Sequence, residues 1–407
     1  MNYFRFLREN APFLLAGVLL TFCSSFGQTF FISVFAGAIR DEFGLSHGAW
    51  GGLYTLGTTA SAIVMVWAGG LTDHYRARAL GKVVLILLAL ACLSMAFTPA
   101  VWFLPIAIFL LRLAGQGMTV HIAVVSMARW FVATRGRALS TAGLGVALGE
   151  AFLPLFFVAL LTVSLWRWLW VGTGLFILAM LPVLARLLRL ERTPQSVAND
   201  NQSVGMDAVH WTRQRVLSHW LFWLLVPALM APAAFSTAFF FQQVHLAETK
   251  GWTHVELVAL FPLFTACAVG SMIVSGWVID RVGTARLMPV FQLPMALGFV
   301  VMAQASSLAM AAGAMILMGL TQGANSTVPN AFWAEFYGTR FMGGIKALAT
   351  AVMVFGTAIG PGLTGVLIDR GVIFEDQLYG IAAYFVTAAL LVLVGITRAR
   401  GRLTVAA

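Results

Sequence analysis

Two ionisable residues sit deep inside long apolar runs: Arg112, in "RLAGQG", and Glu150, in "GVALGEAFLP". A charge in such surroundings is costly and marks a functional position by default. A guanidinium presents a planar fork of donors that matches a carboxylate. A carboxyl group can take up and release a proton. The pair therefore predicts anion binding at Arg112 and proton coupling at Glu150, and the two could meet if their segments are antiparallel neighbours. At about 100° per residue, Gln116 and Thr119 share the face of Arg112, whereas His121 points the opposite way and is expected against another helix. Further amides and hydroxyls recur at helical spacing: Thr21, Ser24 and Gln28; Ser236, Phe240 and Gln243; Gln322, Ser326 and Asn330. The substrate-binding candidates are Arg112, Gln116, Gln28, Gln243, Gln322 and Ser326. No catalytic constellation accompanies them. The three cysteines, Cys23, Cys92 and Cys267, lie in apolar segments, the histidines show no metal-ligand spacing, and no phosphate-binding loop is present. Neither an enzyme nor a bound cofactor or metal is expected.

These residues must be positioned by membrane helices. Of the 407 residues, 60% are hydrophobic and 10% charged, against roughly a quarter charged in soluble domains. Twelve apolar segments are long enough to span a bilayer, starting near Ala11, Gly48, Leu80, Val101, Ala138, Trp166, Trp220, His254, Ala285, Leu308, Gly344 and Leu378. Lipid leaves the backbone only helices or a closed barrel, and the runs lack the alternation of a barrel. The expected fold is an all-α membrane protein of twelve transmembrane helices in two pseudo-symmetric six-helix bundles. Glycines Gly143, Gly145 and Gly149 open the fifth segment and predict close helix packing.

The net charge of +10 reports topology rather than a nucleic-acid partner. Of 25 Lys and Arg residues, Arg112 is intramembrane, Arg40, Arg167, Lys250 and Arg370 fall in one set of loops, and the other twenty fall in the alternate loops and the termini. Positive residues stay inside, so both termini are expected on the cytoplasmic side of the inner membrane. The polar stretch from Arg189 to Arg215 reads as a linker. It divides the chain into bundles at 1–189 and 218–407, joined by 190–217. Within the linker, Val209 to Leu217 could form a short interfacial helix carrying Trp211.

The halves are related. Gly44, His47, Gly69 and Asp73 recur as Gly251, His254, Gly276 and Asp280, all 207 residues apart; Gln116 and Gly117 recur as Gln322 and Gly323; Phe131 and Arg135 recur as Phe336 and Arg340. Each half carries a charged loop after its second segment, "GGLTDHYRAR" and "GWVIDRVGTAR". The first resembles the signature of the major facilitator superfamily, Gly-x-Leu-x-Asp-Arg-x-Gly-Arg-Arg/Lys, through Gly69, Leu71, Asp73 and Arg78. His74, Arg76 and Ala77 depart from it. Arg112 resembles that family's fourth-helix arginine. The stretch "GQGMTVHIAVVSMARW" is similar to bacterial relatives of the monocarboxylate and oxalate–formate carriers. Some exporters of the family carry Gly-Pro where this chain has Gly149 and Glu150.

The resemblance implies gating roles for Asp73, Arg78, Asp280, Arg281 and Arg286. Asp73 would meet the start of the eleventh helix near Gly343 and Gly344, and Asp280 the start of the fifth near Arg137. It also implies a monomeric secondary transporter in the lipid bilayer that moves a small organic anion together with protons by alternating access. A proton-driven multidrug exporter is the alternative.

Overall fold

The computed structural model describes residues 3–131, 134–189, 204–338 and 340–403. Every regular element among them is a helix. Nine stretches are long and apolar enough to cross a membrane. A tenth is a bent pair, Ala11–Gly27 and Thr29–Phe43, broken by 49°. The helix His47–Ala68 has 22 residues. The segment expected to start near Ala285 is divided. A turn of helix, Thr284–Leu287, is followed by a separate helix, Leu293–Gln304. Pro289 lies between them and has no N–H with which to continue the ladder.

The chain forms two compact units. The first comprises 1–198 together with 240–245; the second comprises 199–239 and 246–407. In the first unit, Arg135–Leu161 packs on Ala11–Ser24. A Cβ on Gly145 would strike Thr21 and the Val18 carbonyl, and one on Gly149 would strike the Ser25 hydroxyl. The Thr21 hydroxyl donates to the Ala142 carbonyl. Gly143 differs from the expectation, since nothing lies within 4 Å of its added Cβ. A cluster of Phe26, Phe31, Phe35, Phe157 and Trp170 rings fills the interior with edge-to-face and tilted contacts. Such pairs add to the burial of their area. Val66 and Trp67, by contrast, are exposed on His47–Ala68, as suits a lipid-facing surface.

The internal repeat has a local structural cause. Gly44 and Gly251 both take the left-handed conformation, with φ of 62° and 70°. Ser46 and Thr253, also 207 apart, cap the following helices by accepting from Ala49 and Glu256 backbone N–H groups. His47 and His254 then open those helices. Glycine supplies the positive φ and the hydroxyl satisfies a free N–H. One turn design is thus used in both halves.

In the second unit, the end of the linker is strapped to the bundle. Met206 is fully buried, and its carbonyl accepts from Trp211 Nε1 at 3.1 Å. Trp211 packs edge-on against His219 and Tyr337. The interfacial helix expected from Val209 is shorter, Arg213–Leu217, and Trp211 lies in the core rather than at an interface. Its indole gains more by filling the aromatic cluster of Phe332, Trp333 and Tyr337 than by facing headgroups. A cavity of about 480 Å³ opens beside this strap, lined by Asp207, Trp211, Thr212, Arg215 and His219 among others. It holds none of the substrate candidates.

Candidate functional site

Arg112 is 3% exposed. Its helix is continuous from Val101 to Trp130 as a span, but the stretch Arg112–Thr119 is a π-helix. Such segments are rare and concentrate at functional positions. The wider register turns the chain less per residue than an α-helix. Gln116 therefore stays near the Arg112 face while Thr119 slips off it. Thr119 is fully buried, and its hydroxyl donates to the Gly115 carbonyl.

Facing this stretch is the break in the first span. Ser25–Gly27 forms a tight turn, and Gln28 is extended, with φ −84° and ψ 155°. The next helix starts on the Gln28 carbonyl, which accepts from Phe31 and Ile32. The Gly27 carbonyl accepts instead from Arg112 Nη1 at 3.3 Å. The approach is close enough to require glycine on both sides. A Cβ on Gly27 would stand 2.8 Å from Gly115 Cα and 2.9 Å from the Gln116 nitrogen. This approach sets the backbone of Gln28 beside the turn that carries Arg112 and Gln116. Gln28 and Gln116 are half-buried, and neither side-chain amide is hydrogen-bonded among the described residues.

Arg112 Nη1 also donates to Thr29 Oγ1 at 3.3 Å, and the guanidinium lies 5.5 Å from the ring centre of Tyr54. Thr29 and Tyr54 share a 2.5 Å hydrogen bond. Among the described residues Nε is buried without a hydrogen-bond partner. Among the described residues no carboxylate lies within ion-pair distance of Arg112. The meeting of Arg112 with Glu150 is therefore not made. Glu150 is half-buried, one residue beyond the Gly149–Ser25 contact. The π-register and the break in the first span aim Arg112 at the first and second spans instead.

Gln243 was a cavity candidate. The structure buries it completely and spends its amide on the Phe30 carbonyl, at 3.2 Å, and Ser33 Oγ, at 2.7 Å. In the second unit, Gln322 is half-buried on Leu308–Asn325, and Ser326 is exposed in the turn that follows. The Ser326 carbonyl accepts from Asn330 Nδ2 at 2.8 Å. Tyr54, Thr29 and Ser33 were missed in the sequence. The one available signal was a tyrosine set among glycines and threonines in "GGLYTLGTT".

The charged loop after the second span starts where expected. Its first residues are held by His121, whose Nε2 lies 3.1 Å from the Gly69 carbonyl, and by Arg129, which donates to the Thr72 carbonyl at 2.7 Å. His121 thus packs against a neighbouring segment, as its helical phase predicts. His74 bonds locally to the Gly70 carbonyl. Asp73 belongs to the turn of helix Leu71–His74, and its side chain, like that of Arg135 and residue 343, lies outside the described part. Arg78 is half-buried. In the second copy Asp280, Arg281 and Arg286 are exposed, and the Arg281 guanidinium sits 3.7 Å from the Trp277 ring centre.

The family pattern of the Major Facilitator Superfamily matches residues 17–361 and 264–402. The chain belongs to the major facilitator superfamily. The superfamily's fold is also found in the solved structures it resembles. A bacterial homologue of the human lysosomal transporter Spinster, in an inward-facing and unoccupied conformation, superposes with a TM-score of 0.74 at 15% identity, over 98% of this chain and 99% of that one. The nucleoside transporter NupG gives 0.72 at 14% identity, over 97% and 99%. At such identity the likeness speaks for the fold alone. The search of curated proteins found no match. The chain is a multi-pass membrane transporter of this superfamily.

Proposed function

We propose that this transporter carries a small organic anion with a carboxylate group, in company with protons, across the cytoplasmic membrane. The observation that supports the reading is the buried Arg112, a permanent charge with no carboxylate partner among the described residues. A buried, uncompensated cation is destabilising. A carboxylate ligand would supply the missing charge, and the unbonded amides of Gln28 and Gln116 would take its remaining polar groups. Gln322 and Ser326 are kept as proposed substrate-binding residues. Glu150 is proposed as the proton carrier, because it is an acid inside a membrane-spanning helix, one residue beyond the Gly149–Ser25 contact beside the break in the first span.

The bent first span, His47–Ala68 and the shorter Leu293–Gln304, added to the nine long spans, make twelve. On this reading both termini are cytoplasmic, the bundles are 1–189 and 218–407 with 190–217 between them, and the protein works as a monomer. Asp73, Arg78, Asp280, Arg281 and Arg286 would gate the cytoplasmic side during alternating access.

The test is uptake of a panel of radiolabelled carboxylates into proteoliposomes, with and without a pH gradient. Accumulation of one or more carboxylates, stimulated by an acid exterior and lost in Arg112→Ala, is the expected result. Glu150→Gln should keep substrate exchange and lose pH-driven accumulation. If no carboxylate is moved while lipophilic cations are extruded, the multidrug-exporter reading replaces this one.

A further inference from the structure

Arg112 holds the Gly27 carbonyl directly and also touches Thr29 and Tyr54. Those last two residues lead to one particular segment. Tyr54 is fully buried on His47–Ala68. On one side its ring lies under the Arg112 guanidinium and its hydroxyl is bonded to Thr29. On the other side the ring packs against Phe241 at 4.8 Å between centroids, next to Trp50, which stacks on the same phenylalanine at 5.8 Å. Phe241 ends the helix Trp220–Phe241 and belongs to the stretch 240–245, which forms part of the first unit.

A second line runs through Ser33. Its hydroxyl lies 2.6 Å from the Thr29 carbonyl and 2.7 Å from the Phe240 carbonyl. A hydroxyl has one proton to donate, so it serves one of these carbonyls at a time. It also accepts from Gln243 Nε2. Val244 packs at 3.3 Å against the position a Cβ on Gly37 would occupy. Ser33 with Phe240, and Gly37 with Val244, are each 207 residues apart, the spacing of the internal repeat. The segment is thus held by contacts that converge on Thr29 and Tyr54, the same two residues that hold Arg112.

We infer that Tyr54 is a positioning residue that couples the charge state of the Arg112 site to the seating of the 240–245 segment. The Tyr54 ring and hydroxyl fix the guanidinium over Thr29 while the other face of the ring seats Phe241. A ligand that draws Arg112 away from Thr29 loosens Tyr54, and with it the seat of Phe241. The converse also holds, since coupling between two sites is reciprocal. The placement of Arg112 as the anion-binding group rests on the function proposed above, but the coupling itself is a property of these contacts and needs no substrate to be measured.

The test is a double-mutant cycle read by thiol labelling. In a Cys267→Ser background, Val244→Cys reports the seating of the segment to a maleimide probe. Cys23 and Cys92, both fully buried, serve as internal controls: a variant whose buried cysteines label has unfolded and is set aside for the milder Tyr54→Phe. Tyr54→Phe keeps the ring and loses the bond to Thr29. It should raise labelling at position 244 by about two- to ten-fold, the range of one hydrogen bond. Arg112→Ala should raise it similarly with Tyr54 present and add little in the Tyr54→Leu variant, or in Tyr54→Phe where Tyr54→Leu unfolds. That non-additivity is the mark of coupling. Labelling at 244 that is unchanged by Arg112→Ala, or changes that simply add, would overturn the inference. The carboxylate panel can fail while this cycle succeeds, or the reverse, so the two readings are judged separately.

Discussion

At the scale of single residues, Arg112 carries most of the functional argument. Its guanidinium holds Nη1 on Gly27 and Thr29 and stacks over Tyr54. Lysine keeps the charge but not the planar fork. Arg112→Lys is expected to lower carboxylate uptake by about 10- to 100-fold, the worth of a hydrogen bond to a charged group, as measured by initial rates in proteoliposomes. His219 offers a second residue-scale prediction. Both of its ring nitrogens are buried without hydrogen bonds. Burial first, and then the Arg402 guanidinium, hold its imidazole below the ordinary value, with Asp207 opposing. A lowered value means the packed ring is neutral. The packing is at full strength above the unpacked value of about 6.5 and weakens as pH falls through it toward the lowered value. Thermal unfolding in detergent should show a loss of stability between about pH 7.5 and 5.5 that is smaller in His219→Phe. An equal loss in both proteins would assign the acid sensitivity to other groups.

At the scale of elements, glycines decide which helices touch. Gly145 and Gly149 let Arg135–Leu161 approach Ala11–Ser24 and the turn behind it, whereas Gly143 has open space around it. Gly145→Val should therefore lower stability by about 1–3 kcal/mol, as overpacking does. Gly143→Ala should be neutral or slightly stabilising, since alanine is the better helix former. Melting temperatures of the two variants check this contrast. A Gly143→Ala protein as unstable as Gly145→Val would mean that helix packing is not what the glycines serve. All three glycines were visible as a pattern in the sequence. Which of them faced a partner was not, because helical phase alone does not say on which side the neighbour stands.

At the scale of the whole molecule, the gate residues are the ones to test. An acid at a helix end gains from the free N–H groups that start another helix, typically about 0.3–2 kcal/mol. Asp73→Asn should weaken closure on the cytoplasmic side and raise the reactivity of cavity cysteines to probes added from that side. Equal reactivity in mutant and parent would remove Asp73 from the gate. Family membership, helical architecture and the recurrence of Gly44 and His47 as Gly251 and His254 were all legible in the sequence. That recurrence survives in the sequence because the chemistry behind it is local: a positive φ at Gly44 and Gly251 and a cap at Ser46 and Thr253.

The sequence by itself determined that this chain is a helical membrane protein with two related halves, and that Arg112 is its exceptional residue. Composition, period and charge placement carry that information because the bilayer penalises polar groups one by one, wherever the helices end up. Only the tertiary structure decided what Arg112 meets. The π-register of Arg112–Thr119 and the extended Gln28 rotate two helix faces away from their ideal phase. Arg112 then meets Gly27 and Thr29, Glu150 does not pair with it, Gln243 is consumed by Ser33 and Phe30, and Tyr54 enters unannounced. Trp211 leaves the expected interface for the core on the same grounds. A break in a helix costs backbone hydrogen bonds that only groups on other helices can restore. Its position is therefore set by partners distant in the chain, which no local pattern contains.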